Sequence, residues 1–300
     1  MRTRGTSGSA MMKARPSAPL PVAGLVVGKS AEDAAELLPR LFNLCRVTQD
    51  MAARMAFGLQ PGRNPMEELR REILRDHLIK FCISFPAFFG RNPRPLPQDL
   101  MSGSRQVRAS LFGVHGCPPT TPSEFDAFLN AGDAAGETLD QIGVCFAPGE
   151  AATAILSTVS RQNVFGAEAL ENSVAARQAH HPVMRHVERK YGRGPLWRAT
   201  ARLYDAEDCL TGRLQEAVLV RPGRAIVPAA RGTYAISADV EDGMVTNFRR
   251  ITPTDHLMTP GGVLDQSLAS LPHKNAELAP LVLDILDPCI PVSLVEVRDA

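Results

Sequence analysis

Two cysteines near opposite ends of the 300-residue chain are its best-placed candidates for chemistry. Cys45 lies in Leu41-Phe42-Asn43-Leu44-Cys45-Arg46-Val47-Thr48-Gln49, near the start of what reads as a long, mostly apolar helix. Cys289 lies in Asp287-Pro288-Cys289-Ile290-Pro291, where proline stops a helix and leaves a thiol at its end. Thiolates are soft, polarisable ligands, and two thiols, one from each end of the chain, suggest a site. Gln49 follows Cys45 by four residues, so on a helix its amide stands one turn above the sulfur and can donate to it. Taken alone, an isolated cysteine on an apolar helix face reads as a small core residue.

The other candidates are weaker. His77 lies on an amphipathic helix and reads as a satisfied structural histidine. His115 and Cys117 are close enough to be metal ligands but have no second pair in sequence. His180, His181 and His186 look like a metal cluster, yet Pro182 disrupts their spacing and no carboxylate or thiol completes the set, which favours surface histidines.

The elements that must position the thiols follow from periodicity. Pro19 to Val27 reads as a short extended segment feeding a turn at Gly28-Lys29. Ser30 can cap the helix that follows, with Glu32 and Asp33 in its first turn and Pro39 as a kink or restart. A second helix is expected over residues 66 to 81, packed on the first, and residues 91 to 106 read as a surface loop. Thr121-Pro122-Ser123-Glu124 is a capping box opening another helix. Helical patterns also cover residues 139 to 146 and 151 to 159, and the basic run from Arg185 to Arg193 reads as a solvated helix face. Strand patterns begin at Gln215: residues 216 to 220, 224 to 227 and 233 to 240, then a hairpin signal at Asp242-Gly243 before residues 244 to 251. Two helices close the chain, around residues 264 to 271 and 278 to 286. The fold class is therefore α+β and mainly helical, with a small antiparallel β unit near residues 215 to 251. Residues 1 to 18 are expected to be a disordered leader, and 19 to 300 one domain.

With 44% hydrophobic and 22% charged residues and a net charge of +1, the composition argues against a disordered or polybasic chain and against nucleic acid as a partner. No segment reaches the roughly 18 apolar residues that a membrane span needs, and the leader lacks the apolar region of a secretory signal. Six dispersed cysteines without a C-x-x-C suit reduced thiols, so a cytoplasmic protein is expected.

The order of these pieces resembles the nickel-iron hydrogenase large-subunit family in reduced form. That family has an early R-I-C-G-V-C-x-x-x-H motif, an E-A-P-R-G segment before a hairpin, a V-P-[ST] segment, and a final D-P-C-x-x-C-x-x-H motif. Here Phe42, Cys45 and Gln49 stand on the first motif's two cysteines and histidine. Pro228-Ala229-Ala230-Arg231-Gly232 keeps the arginine and glycine of the second, and Thr252-Pro253-Thr254 matches the third. Asp287-Pro288-Cys289 keeps the start of the last, while Val292 and Val295 replace its second cysteine and its histidine.

What the resemblance implies is coherent. In the family, nickel needs four thiolates, two of which bridge to an iron carrying two cyanides and one carbon monoxide. With Phe42 and Val292 in place of thiols, no nickel site and no hydrogen activation are expected, and the family's glutamate-containing E-G-H segment is absent. Cys45 matches a bridging cysteine, Arg231 the donor to one cyanide and Thr254 the contact to the other, with Gln49 in place of the histidine behind the sulfur. Cys289 matches a terminal nickel ligand, so it either shifts to reach iron or serves as a hand-over thiol. The family's final histidine is missing and the chain ends at Ala300, so no proteolytic processing step is expected. The pattern looks like the accessory branch, the HupK/HoxV-type hydrogenase expression/formation proteins. It implies a non-enzymatic iron-binding scaffold or chaperone in metallocluster assembly, transiently carrying Fe(CN)2CO for a hydrogenase large-subunit precursor. The implied partners are the hydrogenase maturation chaperone and scaffold complex. The alternative is a metal-free surrogate large subunit acting as a protein-interaction surface. An active metalloenzyme is disfavoured, and an unrelated α+β protein would hold Cys45 and Cys289 far apart.

Overall fold

The computed structural model describes residues 10–18, 20–42, 44–100 and 105–298. The chain opens with strand β1 (Ala10–Pro16), then helices α1 (Val22–Val26), α2 (Ala31–Leu41), α3 (Arg46–Phe57) and α4 (Pro65–Ile79). A π-helical turn, Lys80–Ser84, joins α4 to α5 (Phe85–Phe88). Helices α6 (Arg105–Phe112), α7 (Pro122–Ala131) and α8 (Ala134–Cys145) follow, then the two-residue strands β2 (Ser157–Thr158) and β3 (Leu170–Glu171). Next come α9 (Val174–Gln178), α10 (Pro182–Tyr191) and α11 (Pro195–Thr211). Strands β4 (Val218–Arg221), β5 (Arg224–Ala229), β6 (Gly232–Glu241) and β7 (Met244–Ile251) form an antiparallel sheet in sequence order. The chain closes with α12 (Pro253–Leu257), α13 (Val263–Ala269), α14 (Ala279–Leu286) and β8 (Val292–Arg298).

Helix α11 is the axis of the core. Every residue from Pro195 to Ala206 is buried, charged ones included, and α4, α8, α9, α10 and α14 pack around it. Against this body the sheet presents Val227, Tyr234, Ile236, Val245 and Phe248. Its hairpins are set by local chemistry: Asp242 and Gly243 both take positive φ (50° and 77°), the conformation of a type I′ turn. At the β5–β6 turn Gly232 has φ +147° and lies against the Asn172 carbonyl, where a Cβ would clash. That close approach fixes Arg231, one residue earlier.

Four expectations need correction. Residues 10–16, placed in a disordered leader, pair antiparallel with residues 292–298, Lys13 opposite Val295. Residues 1–9 lie outside the described ones. The segment expected to be extended before Gly28 contains α1, whose Val22 and Val26 are buried. The single long helix through Cys45 is two helices: α2 ends at Leu41 with Pro39 in its last turn, and α3 begins at Arg46. Residues 151–159 are not helical. Ala151 takes φ 48°, and its neighbours bond elsewhere, Ala154 N–H to the Gln266 side chain and Val159 N–H to the Glu171 carbonyl. Part of the surface loop expected at residues 91–106, residues 101–104, lies outside the described residues.

Candidate functional site

Cys45 owes its place at the site to a break in the helix. It is the N-cap of α3, with φ 52° and ψ 43°. A non-glycine residue in this left-handed region costs on the order of 1 kcal/mol. An N-cap side chain ordinarily accepts from the first turn's N–H groups, but the thiol makes no such bond. Glu72 of α4 does the capping instead, accepting from Val47 N–H at 2.7 Å, Thr48 N–H at 3.1 Å and the Thr48 hydroxyl at 3.0 Å. The sulfur is left to face a cavity.

Cys289 reaches the same cavity from the other end of the chain. Helix α14 stops at Leu286 because Asp287 takes a left-handed φ of 55° and Pro288 cannot continue it. Cys289 N–H then donates to the Thr254 hydroxyl at 2.8 Å. Thr254 is buried in the first turn of α12, which Thr252 and Asp255 close with a capping box. The cavity, about 100 Å³, is lined by Cys45, Gln49, Arg231, Thr254 and Cys289, with Phe42 and Tyr234 among its apolar wall. All five residues singled out in the sequence thus line one cavity. Gln49 points its amide elsewhere, donating to the Leu44 carbonyl at 2.8 Å, and its buried Oε1 has no partner among the described residues. Phe42, where the family has a thiol, lies under the Arg250 guanidinium, 4.3 Å from ring centre to cation.

Arg231 is the charged centre. Its Nη1 lies 3.6 Å from the Cys45 sulfur and 2.9 Å from Asp76 Oδ2, and its Nε lies 2.9 Å from Asp287 Oδ2. Asp287 also takes Arg202 Nη2 at 3.1 Å and Lys80 Nζ at 3.1 Å. Burial alone would raise this carboxyl, but Arg202, Arg231 and Lys80 hold it at about 2. Burial pushes both cavity thiols up, Arg231 opposing it at each and the Thr254 hydroxyl also at Cys289. In this form both groups are thiols rather than thiolates at neutral pH.

Behind Asp287 lies a second assembly. Arg202 Nη1 donates to His77 Nδ1 at 3.4 Å, and His77 Nε2 meets Asp205 Oδ2 at 2.8 Å. Burial lowers His77, so it is a neutral imidazole, donating at Nε2 and accepting at Nδ1. The structural reading of His77 fits this. His181 caps α10 and stacks on Tyr204, and His186 lies 3.7 Å from Asp126. No group of three or more His, Cys, Asp or Glu side chains among the described residues could hold a metal ion.

Sequence reasoning missed Glu72, Asp76 and Lys80. A signal was present, because residues spaced by four share one face of a helix, and these three follow that spacing on α4 and the turn after it. Arg202 and Asp205 were hidden on α11, whose charged residues mask its burial.

The comparisons with known proteins agree with this geometry. No family model matches the chain. Among solved structures it is similar to the NiFeSe hydrogenase of Dm. baculatum, with a TM-score of 0.55 at 12% identity over 94% of this chain and 96% of that one. It is also similar to the NiFeSe hydrogenase of D. vulgaris Hildenborough (TM-score 0.52, 14% identity, 95% and 97% covered). An NAD+-reducing NiFe hydrogenase matches with a TM-score of 0.51 at 14% identity, covering 91% and 90%. Identity this low shows the fold, which is that of the hydrogenase large subunit. No helix among the described residues is long and apolar enough to cross a membrane. In sequence, 285 residues are 47% identical to the hydrogenase expression/formation protein HupK of Rhodobacter capsulatus, covering 95% of this chain and 93% of that protein. A likeness of that degree along nearly the whole of both chains means that this one belongs to the HupK family of hydrogenase expression/formation proteins.

Proposed function

We propose that the protein is a non-catalytic cytoplasmic scaffold of nickel-iron hydrogenase maturation that carries an Fe(CN)2CO unit transiently between Cys45 and Cys289 and passes it to a hydrogenase large-subunit precursor. The observation that carries this reading is the convergence of both thiols, Arg231 and Thr254 on one small cavity. Two soft ligands suit one iron, and a guanidinium and a hydroxyl suit the nitrogen ends of cyanide. Among the described residues, Cys45 and Cys289 alone supply sulfur to the lining, two short of the four thiolates that nickel takes in the family. Because both thiols are held protonated by burial, loading expels protons, and cargo binding tightens as pH rises. The maturation chaperone and scaffold complex would supply the unit.

One observation favours a metal-free surrogate large subunit instead: Arg231 is already engaged by Asp76 and Asp287. Infrared spectroscopy decides between the two. Protein purified anaerobically from a host with the maturation machinery should show cyanide and carbonyl stretching bands that vanish in Cys45→Ser. Intact protein without bands, isolated beside active maturation machinery, would replace the carrier with the surrogate.

A further inference from the structure

Of the eleven large apolar side chains exposed among the described residues, five fall on one run of structure: Leu20, Leu25, Val27, Leu44 and Met244, each 37–44% exposed. Leu20 and Leu44 belong to the lining of the thiol cavity. From Leu20 the chain enters α1, which buries Val22 and Val26, packs on β7 and leaves Leu25 in solvent. Val27 follows. Gly28 N–H then donates to the Val245 carbonyl at 2.8 Å, and Val245 N–H to the Lys29 carbonyl at 2.9 Å. Those bonds carry the strip to Met244 at the β6–β7 turn.

The strip has a charge direction. At the cavity end stand Arg46, exposed beside Cys45, and Arg250 over Phe42, against one exposed carboxylate, Asp255, on the cavity lining. At the hairpin end the exposed Glu241 and Asp242, with Glu32 and Asp33 of the adjoining α2 turn, outnumber the one cation there, Lys29. Apolar side chains supply contact area, while charges of opposite sign at the two ends favour one orientation of a partner and penalise the reverse.

We propose that this strip docks the hydrogenase large-subunit precursor that receives cargo from the thiol cavity. Its contact surface is apolar, with carboxylates where it meets the cavity mouth and a cation where it meets the hairpin tip. The identity of that partner as the large-subunit precursor rests on the function proposed above; the surface itself does not. A partner seated along the strip sits over the opening beside Cys45, where transfer must occur.

The probe is purified hydrogenase large-subunit precursor, its binding to the full-length protein measured by interferometry. Leu25→Asp and Met244→Asp should each weaken binding by about tenfold or more. Glu241→Lys should slow association, by a factor that shrinks as salt is added. Val144→Asp and Ile155→Asp, at equally apolar exposed positions elsewhere, should bind as the wild type does. Circular dichroism checks that each variant is folded. Wild-type affinity in the strip variants, an equal loss in the two controls, or no binding by the wild type would each overturn the proposal. Leu25→Asp should keep its infrared bands, because loading precedes this docking; bands lost in a folded Leu25→Asp would overturn the assignment of the strip to the recipient. Docking lost in the strip variants of a protein that never shows bands would uphold the surface and remove the carrier.

Discussion

Asp205 and Asp287 are both buried carboxylates held by cations, and they do different work. Asp205 is fully enclosed, gripped by Arg177 through Nε at 2.8 Å and Nη2 at 2.7 Å, with His77 on its other edge. Burial opposes its ionisation, yet Arg177 and His77 hold it well below the usual carboxylate range. None of its partners lines the thiol cavity. Asp287 is 11% exposed and shares Arg231 with Cys45. A carboxylate that shares its cation with no thiol ties elements together. One that shares a cation with a thiol places charge at a site. Arg202 touches both assemblies, so one side chain links the site to the Asp205 cluster.

The comparison breaks first on stability. Asp205→Ala leaves Arg177 buried without its carboxylate and should cost about 3–5 kcal/mol in urea unfolding. Asp287→Ala should cost less, about 1–3 kcal/mol, because Asp287 lines two cavities through which water can reach the orphaned cations. Equal losses would mean that Asp287 is as structural as Asp205.

Acid titration sharpens the difference. The folded value for Asp287, about 2, lies below its ordinary 3.8. A depressed carboxyl contributes stability that is complete above about pH 4 and lost as pH falls through about 2. Asp287→Asn should therefore remove about 2 kcal/mol of the acid-induced loss in that window. Asp205 and Glu171 are depressed too, so a residual slope remains. An unchanged slope would show that the cations do not hold Asp287 ionised in solution.

Much of this architecture was legible from local rules. The Asp242-Gly243 signal is a hairpin because Asp-Gly favours the type I′ turn, whose twist matches that of the strands it joins. The capping box at Thr121 forms because its partners are three residues apart. Cys45, Arg231, Thr254 and Cys289 converge in the structure; the two thiols were paired from the sequence itself, whereas Arg231 and Thr254 were joined to them only through a family resemblance. What escaped was set by tertiary contacts. The break at Cys45 depends on Glu72, 25 residues from Val47, and no local pattern announces a cap borrowed from another helix. Burial of α11 was masked because Arg198, Arg202 and Asp205 read as solvent-facing until Glu171, Asp287 and Arg177 are known to meet them. The strand at residues 10–16 exists through pairing with residues 292–298 at the far end of the chain.

The smallest expected effect tests the other wall of the cavity. Thr254→Val keeps shape and removes the acceptor of Cys289 N–H, so a half-buried donor loses its partner at a cost of about 1–2 kcal/mol. Thr254→Ser keeps the hydroxyl and should stay within about 0.5 kcal/mol of the wild type. The loss should be local as well as small, visible as faster hydrogen exchange at the Cys289 amide while the amides of α11 keep their protection. That pattern would place the hold on Cys289 in one hydrogen bond and the hold on Cys45 in the Glu72 cap and the Asp287–Arg231 pair. If instead Thr254→Val cost more than Asp287→Ala, the α12 turn rather than the shared carboxylate would be the fixed wall of the site. The distinction drawn from Asp205 would then belong to Thr254.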